Sequence, residues 1–100
     1  MSFWNESNPK KPKGIKDPNS VIDYPISFVA WLAQEGTTYD SHEVLVSGGL
    51  VVDSSVEVGG VIIPRISGGT LGELATFTIR ITTTNGLVED RTFFLKVEER

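Results

Sequence analysis

The sequence has no cysteine and only one histidine, His42, and these two shortages exclude several kinds of functional site. Without thiols the chain can form no disulfide, no thiolate nucleophile and no cysteine-ligated zinc or iron–sulfur centre. With one histidine it cannot build a site on two or three histidine ligands. We therefore predict no catalytic residues, no metal and no cofactor.

Other patterns that carry chemistry in enzymes are incomplete here. In the run DSHE at 40–43, strand alternation sends His42 and Glu43 to opposite faces, so they are not expected to share a metal. The glycine-rich run GGTLG at 68–72 lacks the Lys-Ser or Lys-Thr pair that completes a phosphate-binding loop. These patterns do not support an enzyme.

Long apolar runs are also missing. No apolar segment approaches the ~20 residues that span a bilayer. The opening run MSFWNESNPKKPK lacks the apolar stretch of a secretory signal peptide. We expect a protein that is made in the cytoplasm, carries no signal peptide and does not enter a membrane.

The chain is acidic overall, with a net charge of −4, but its charges are unevenly distributed. Residues 1–16 hold four lysines against one glutamate, whereas residues 17–100 hold twelve acidic and five basic side chains. An acidic body is a poor match for phosphate, so we do not expect nucleic acid as a partner. Because residues 5–20 contain three prolines and one apolar side chain, Ile15, we predict a flexible, extended basic arm over 1–16. This arm is either a solvated tail or a segment that contacts an acidic surface, such as that of another copy of the chain.

From residue 17 onward, threonine, serine and glycine are abundant and apolar residues recur in short runs, which is typical of strands and turns. The clearest run is TFTIRIT at 76–82, where bulky apolar residues alternate strictly with polar ones. The pair Asn85-Gly86 after it predicts a hairpin with a type I′ turn. We predict about seven short antiparallel strands that form an all-β, immunoglobulin-like β-sandwich over 17–100, and a small barrel is the alternative. Their ranges are 26–33, 39–47, 50–53, 56–58, 61–66, 76–82 and 87–98. Pro64 predicts an edge strand or a bend.

Some apolar side chains fall on faces that a sandwich does not need to bury, since each sheet buries one face only. By alternation Val29 and Trp31 face away from the main apolar side of their strand, and Leu45 and Phe94 do the same in theirs. Two adjacent aromatic residues also lie at the far end of the arm. We predict partner contacts through Phe3, Trp4, Val29, Trp31, Leu45 and Phe94. The alternatives are that Phe3 and Trp4 fold back on the domain and that some of the other side chains cover strand edges or pack under loops.

A set of short runs is spread over most of residues 16–98. The runs are KDPN at 16–19, DY at 23–24, LA at 32–33, ISGGTLG at 66–72, FTIRITT at 77–83, NG at 85–86 and DRTFFLKV at 90–97. Together they resemble a family of small tailed-bacteriophage proteins that are described as fibre–tail adaptors or other minor virion proteins. The resemblance implies a non-enzymatic structural protein that acts as a connector or adaptor in the tail or head–tail region. No catalytic residues are attached to that family.

Two functions therefore fit the sequence. The first is a virion structural protein, made in the cytoplasm of the host bacterium, that contacts other virion proteins and forms a homo-oligomer in the assembled particle. The alternative is a carbohydrate- or cell-surface-binding module of immunoglobulin-like fold. In that module the loops around 36–40 and 68–72 lie at one end of the sandwich and present Tyr39 to a glycan.

Overall fold

Strands dominate the structure, a computed structural model that describes residues 13–99. The elements are β1 (Lys13–Lys16), β2 (Ile22–Asp23), β3 (Ile26–Ser27), α1 (Val29–Glu35), β4 (Tyr39–Val46), β5 (Leu50–Val58), β6 (Val61–Gly68), β7 (Leu74–Thr83) and β8 (Val88–Val97). The predicted all-β class is confirmed, with one short helix that was not predicted. No helix within the described range has the length and apolar character that a membrane crossing requires.

The strands form two sheets that pack face to face. Sheet A has the order β1-β8-β7-β4. In sheet B the strand β6 pairs with β5 along one side and with the short strands β2 and β3 along the other. Every pair is antiparallel except β1–β8, which is parallel. The two packed sheets confirm the predicted sandwich, and an immunoglobulin-like topology stays a prediction.

The core lies between the sheets and follows the alternation of the long strands. Every second side chain of β7 is buried, as the run at 76–82 predicts. The ring of Phe77 lies at its centre, with centroid distances of 5.3 Å to the ring of Tyr24 and 5.2 Å to that of Phe93. Aromatic pairs at this spacing add to the stabilisation that burial provides. The buried apolar residues are Tyr24, Ile26, Phe28, Leu32, Leu50, Ile62, Ile66, Ala75, Phe77, Ile79, Ile81, Phe93, Leu95 and Val97.

The predicted strand over 26–33 is wrong, because only β3 forms there and α1 follows it. The Ser27 hydroxyl accepts a hydrogen bond from the Val29 N–H at 3.2 Å, at the start of the helix. At the other end Gly36 adopts a φ of 64°, which favours glycine, and its N–H donates to the Ala33 carbonyl. Alanine, leucine, glutamine and glutamate between these signals favour a helix more than one valine opposes it.

One strand, β5, replaces the two strands predicted at 50–53 and 56–58. The serines at 54–55 continue the pairing with β6, and the register shifts between Val52 and Ser54. A shift of this kind is a β-bulge, which bends a strand without ending it. At the bulge the alternation of apolar and polar residues shifts by one position. In the sequence this shift has the same pattern as the end of one strand and the start of another.

Pro64 does not lie in an edge strand, because β6 has partners on both sides. It is fully buried, and it occupies the place where the pairing of β6 passes from β2 to β3. There the Pro64 carbonyl accepts a hydrogen bond from the Tyr24 N–H at 3.1 Å. A central strand tolerates proline here because the neighbouring ladder is already interrupted.

The predicted hairpin between β7 and β8 is confirmed, but its turn is not of type I′. Gly86 has a φ of 88°, whereas no residue other than glycine has positive φ within residues 13–99. The Gly86 N–H donates to the Thr83 carbonyl at 3.1 Å, and the Thr83 N–H donates to the Leu87 carbonyl at 2.9 Å. This is a three-residue loop in which glycine supplies the one left-handed position.

The predicted arm ends earlier than residue 16, because residues 13–16 form β1 at the edge of sheet A. This strand pairs in parallel with the last part of β8, and Lys13 lies opposite Phe94. Parallel pairing joins segments that are far apart in the sequence, so no local pattern predicts it. Residues 1–12 lie outside the described residues, and a flexible arm there stays a prediction.

Lys16 is fully buried, although it was counted among the charges of the arm. Its Nζ donates hydrogen bonds to the carbonyls of Asp17 at 2.9 Å, Ser20 at 2.7 Å and Gly68 at 2.7 Å. Three acceptors match the three N–H groups of an ammonium ion. Burial lowers the pKa of Lys16, while the nearby carboxylates of Asp17 and Asp53 act in the opposite direction. The side chain therefore ties β1 to the following turn and to β6.

Replacing Lys16 by methionine keeps the apolar stem but removes the ammonium donor from the carbonyls of Asp17, Ser20 and Gly68. Of these, the Asp17 carbonyl still accepts hydrogen bonds from the Ser20 N–H and hydroxyl. We expect Lys16→Met to lower the free energy of unfolding by about 3 kcal/mol. Urea denaturation measures this change. Lys96→Met is the control, because Lys96 makes one exposed hydrogen bond, to the Gly72 carbonyl at 3.1 Å. An equal loss in both variants would contradict the role of the buried ammonium.

The burial of Tyr24 leads us to expect a loss of stability at alkaline pH. Burial raises the pKa of Tyr24 from 10.0 to about 12. Above pH 10 the unfolded chain therefore releases this proton while the folded chain keeps it, so the free energy of unfolding falls as pH rises toward 12. The fall attributable to Tyr24 is roughly 2 kcal/mol. Denaturation of Tyr24→Phe at pH 9 and at pH 11.5 tests this, since we expect the variant to lose clearly less stability between the two than the unchanged chain does.

Candidate docking surface

The outer face of sheet A carries two of the predicted contact residues, Leu45 and Phe94. Leu45 of β4 lies beside Thr78 of β7, and Phe94 of β8 lies beside Thr76 of the same strand. The two side chains are therefore separated by two strand spacings across the sheet and by two residues along it, or about 12 Å. Leu45 is 44% exposed and Phe94 is partly exposed. Alternation predicts that each side chain points outward, and the strand order of sheet A brings the pair onto one surface.

Two further aliphatic residues extend this surface, and neither was predicted. Ile15 of β1 and Leu74 of β7 flank Lys96 of β8 on its two sides, and each is 51% exposed. Leu74 lies two residues before Thr76, whose side chain points outward, so strand alternation could have placed Leu74 on this face. Ile15 had no such signal, because its segment was assigned to the arm. The sheet A docking face is defined here as Ile15, Leu45, Leu74 and Phe94.

A row of charges borders the docking face. The Arg80 guanidinium donates to the two carboxylate oxygens of Asp90 at 2.8 and 3.0 Å and to Glu43 at 3.3 Å, so the row crosses β8, β7 and β4. The hydrogen bonds from Arg80 hold the pKa of Asp90 below its usual value. Exposed ion pairs contribute little to stability. Their effect here is to fix the pattern of charge beside the apolar residues.

Val29 and Trp31 do not reach this face, because α1 lies at one end of the sandwich. The Phe28 N–H donates to the Gly60 carbonyl at 2.8 Å and seats the helix over the turn between β5 and β6. Val29 is 48% exposed, whereas Trp31 packs partly against the core, edge-on to the Phe28 ring at a centroid distance of 6.5 Å. Residues two apart on a helix point in nearly opposite directions. The strand-based argument that gave both residues one outward face is therefore wrong.

Phe3 and Trp4 lie outside the described residues. Contacts between these two aromatic residues and a partner stay a prediction.

The single histidine joins the two sheets. His42 Nδ1 is 2.7 Å from the Tyr39 hydroxyl, and Nε2 is 2.9 Å from the Ser55 hydroxyl of β5. Burial raises the pKa of Tyr39, and the carboxylates of Glu57 and Asp40 add to this effect. In the part of the chain that the structure describes, no three His, Asp or Glu side chains are grouped as metal ligands would be. The hydrogen bonds to His42 link β4 to β5.

The two loops that were expected to form one glycan-binding end lie at opposite ends of β7. Tyr39, after the loop at 36–38, pairs with Thr83 at the last residue of β7. The loop at 69–73 leads into the first residue of the same strand. The predicted arrangement is therefore wrong, because a ten-residue strand separates the loops.

A comparison with protein families gives a match over most of this fold. The family model described as podophage GP4 fibre–tail adaptor protein gp77 matches residues 16–96. The chain belongs to this family. A comparison with curated proteins found no match.

The match to the adaptor family starts at the buried Lys16 and ends at Lys96 in β8. It covers β2 to β7 and nearly all of β8, and it leaves out residues 1–15 and 97–100. This confirms the resemblance to tailed-phage adaptors that the sequence runs indicated. A fibre–tail adaptor is a structural protein of the phage tail, and its place implies contacts with other virion proteins.

The adjacent residues Phe93 and Phe94 give a test of which face belongs to the core. We expect Phe93→Ala to lower the free energy of unfolding by about 3–5 kcal/mol, since the ring leaves a cavity in the core. Phe94→Ala is expected to cost about 1 kcal/mol or less, because its ring lies on the outer face. Urea denaturation of both variants measures the difference. Equal losses would mean that the docking face is a part of the core.

Proposed function

We propose that this chain is a non-enzymatic connector of the phage virion that binds another virion protein through the sheet A docking face. The observation that carries this proposal is the exposure of Ile15, Leu45 and Leu74, with partial exposure of Phe94, on strands whose opposite face is buried. Apolar residues gathered on one flat face, bordered by polar groups, are typical of protein–protein contacts.

The docking face is rigid before a partner arrives. Its central strand β7 pairs with β4 and β8, and hydroxyl pairs join neighbouring side chains across the face. Thr78 lies 2.8 Å from Thr92, and Ser47 lies 2.7 Å from Thr76, between hydroxyl oxygens. Little conformational entropy is then lost on binding, which favours affinity at a modest contact area.

The charged row gives the contact an orientation. Arg80, Asp90 and Glu43 lie along one border of the docking face, so a partner with complementary charges is aligned by them. Ions screen exposed charges, so this alignment weakens as the salt concentration rises.

Copies of the chain also bind one another in the particle. Lys10 and Lys11 lie in the segment that precedes β1, while residues 17–100 carry an excess of acidic side chains. Opposite charges on two parts of one chain favour association between copies, and symmetric homo-oligomers are the commonest form of such assemblies.

The absence of catalysis is supported by the role of the single histidine. Both ring nitrogens of His42 have hydroxyl neighbours that link the sheets. A general base needs a free ring nitrogen directed at a substrate proton. The family description, an adaptor, agrees with a structural role.

The proposal is tested by replacing the docking face in a phage that lacks its own copy of the gene, with the variant chain supplied by the host. We expect Leu45→Ala together with Phe94→Ala to lower the number of copies per purified particle by about ten-fold, equivalent to about 1.4 kcal/mol of lost contact energy. Quantitative mass spectrometry of purified particles measures the number of copies.

The matched control is Val56→Ala together with Val58→Ala, which removes two exposed residues of β5 in sheet B. We expect this variant to enter particles normally. Equal loss in the control, or the absence of the unchanged chain from purified particles, would contradict the proposal.

A further inference from the structure

A groove lies at the end of the sandwich that α1 covers, away from the docking face. Its cavity volume is about 400 Å³. Pockets that take small ligands start at roughly 300 Å³, so the groove has room for one large aromatic side chain. The lining residues are Val29, Leu32, Thr37, Thr38, Tyr39, Glu57, Gly59 and Gly60.

The groove combines an apolar wall with an acidic one. Val29 and Leu32 of α1 form the apolar side, and Leu32 belongs to the core cluster. Opposite them the Glu57 carboxylate accepts a hydrogen bond from the Gly60 N–H at 2.7 Å. The carboxylate of Asp40, the next residue in β4, contributes to the raised pKa of Tyr39. Such a groove suits an aromatic ring followed by a basic segment.

None of the described residues that line the groove is basic. Within residues 13–99, five of the six basic side chains are engaged elsewhere, and the sixth, Lys13, is at the start of β1. The engaged groups are Lys16 with the carbonyls of Asp17, Ser20 and Gly68, Arg65 with Asp23, Arg80 with Asp90 and Glu43, Arg91 with the Ser27 carbonyl and Lys96 with the Gly72 carbonyl. A positively charged partner for Glu57 is therefore sought in a segment outside the described residues.

Residues 1–12 have the matching chemistry. Phe3 and Trp4 supply two large rings, and Lys10 and Lys11 supply two positive charges within the same segment. Trp4 precedes Lys13 of β1 by nine residues, so its ring can reach about 30 Å from that strand. The segment is long enough to cross to an adjacent molecule.

The starting point of the segment and the groove lie at opposite edges of sheet A, an arrangement that suits contacts between copies. The segment starts from β1, which is one edge strand of sheet A, whereas Tyr39 in the groove belongs to β4, the other edge strand. A donor site and a receptor site on opposite edges generate head-to-tail contacts, which close into a ring when the rotation between copies permits it.

We propose that the groove between α1 and the β5–β6 turn binds the N-terminal segment of a second copy of this chain, with Phe3 or Trp4 in the groove and Lys10 or Lys11 near Glu57. This inference rests on the proposed self-association in the particle, and it names the residues through which copies meet.

Cysteine cross-linking tests the contact, because the chain has no cysteine of its own. One full-length chain carries Asn5→Cys, which leaves Phe3 and Trp4 intact. It is mixed with a second full-length chain that carries Val29→Cys, in a glutathione redox buffer. The control partner carries Val51→Cys, since Val51 is 51% exposed and Val29 is 48% exposed, and Val51 lies at the opposite end of β5 from Glu57.

We expect about ten-fold more mixed disulfide with Val29→Cys than with Val51→Cys, because docking raises the local concentration of the two thiols. Adding Trp4→Ala and Phe3→Ala to the Asn5→Cys chain should return the yield to the control level. Equal yields for the two partners would overturn the inference. So would a monomer closed by its own disulfide when Asn5→Cys and Val29→Cys are placed in one chain, since the segment would then occupy its own groove.

The charge component is tested separately with Glu57→Gln in the Val29→Cys chain. Glutamine retains an acceptor for the Gly60 N–H but removes the negative charge, so the turn keeps its hydrogen bond. We expect a several-fold lower yield of mixed disulfide at low salt and a weaker dependence on salt. An unchanged yield and an unchanged salt dependence would overturn the role of Glu57.

The particle experiment keeps the two proposals distinguishable. If cross-linking shows no preference for the groove but Leu45→Ala with Phe94→Ala still lowers the number of copies per particle, the connector function stands and the groove contact fails. If the unchanged chain is absent from particles, the connector function fails whatever the cross-linking gives.

Discussion

The buried ammonium group of Lys16 fixes the first strand of the domain, and the proposed docking face and the starting point of the N-terminal segment both depend on that strand. Taking a cation out of water is costly, and three short hydrogen bonds to carbonyls offset this cost only if all three are in place. The position of β1 is therefore defined within narrow limits. With Lys16 turned inward, Ile15 is directed outward onto the docking face, and residues 1–12 start from a fixed edge of sheet A.

The same strands build the core and the docking face. In β8 the ring of Phe93 stacks on Phe77 inside the sandwich, while the next ring, Phe94, lies outside beside Thr76. Because side chains alternate along a strand, packing of the inward side chains also fixes the positions of the outward ones. Rigidity of the docking face is thus a consequence of folding and requires no separate device.

The two proposed contacts use separate parts of the molecule. The docking face occupies the outer surface of sheet A, and the groove lies at the end that α1 covers. One copy can therefore bind its neighbours through the N-terminal segment and the groove while its sheet face remains available to a different virion protein. An adaptor needs this combination, because it must be held in place by one set of contacts and hold a partner with another.

The sequence by itself determined the features that depend on alternation within one strand. These include the all-β class, the inward and outward residues of β4, β7 and β8, and the outward direction of Leu45 and of Phe94. That these two share a face depends on the order of the strands, which the structure gives. It did not determine α1, since seven residues are too few to separate a helical period from a strand period when both faces are apolar. The structure alone decided the burial of Lys16, the pairing of β1 and the groove. Each of these depends on groups that are distant in the sequence, such as the Gly68 carbonyl for Lys16 or Glu57 for α1, and only folding brings such groups together.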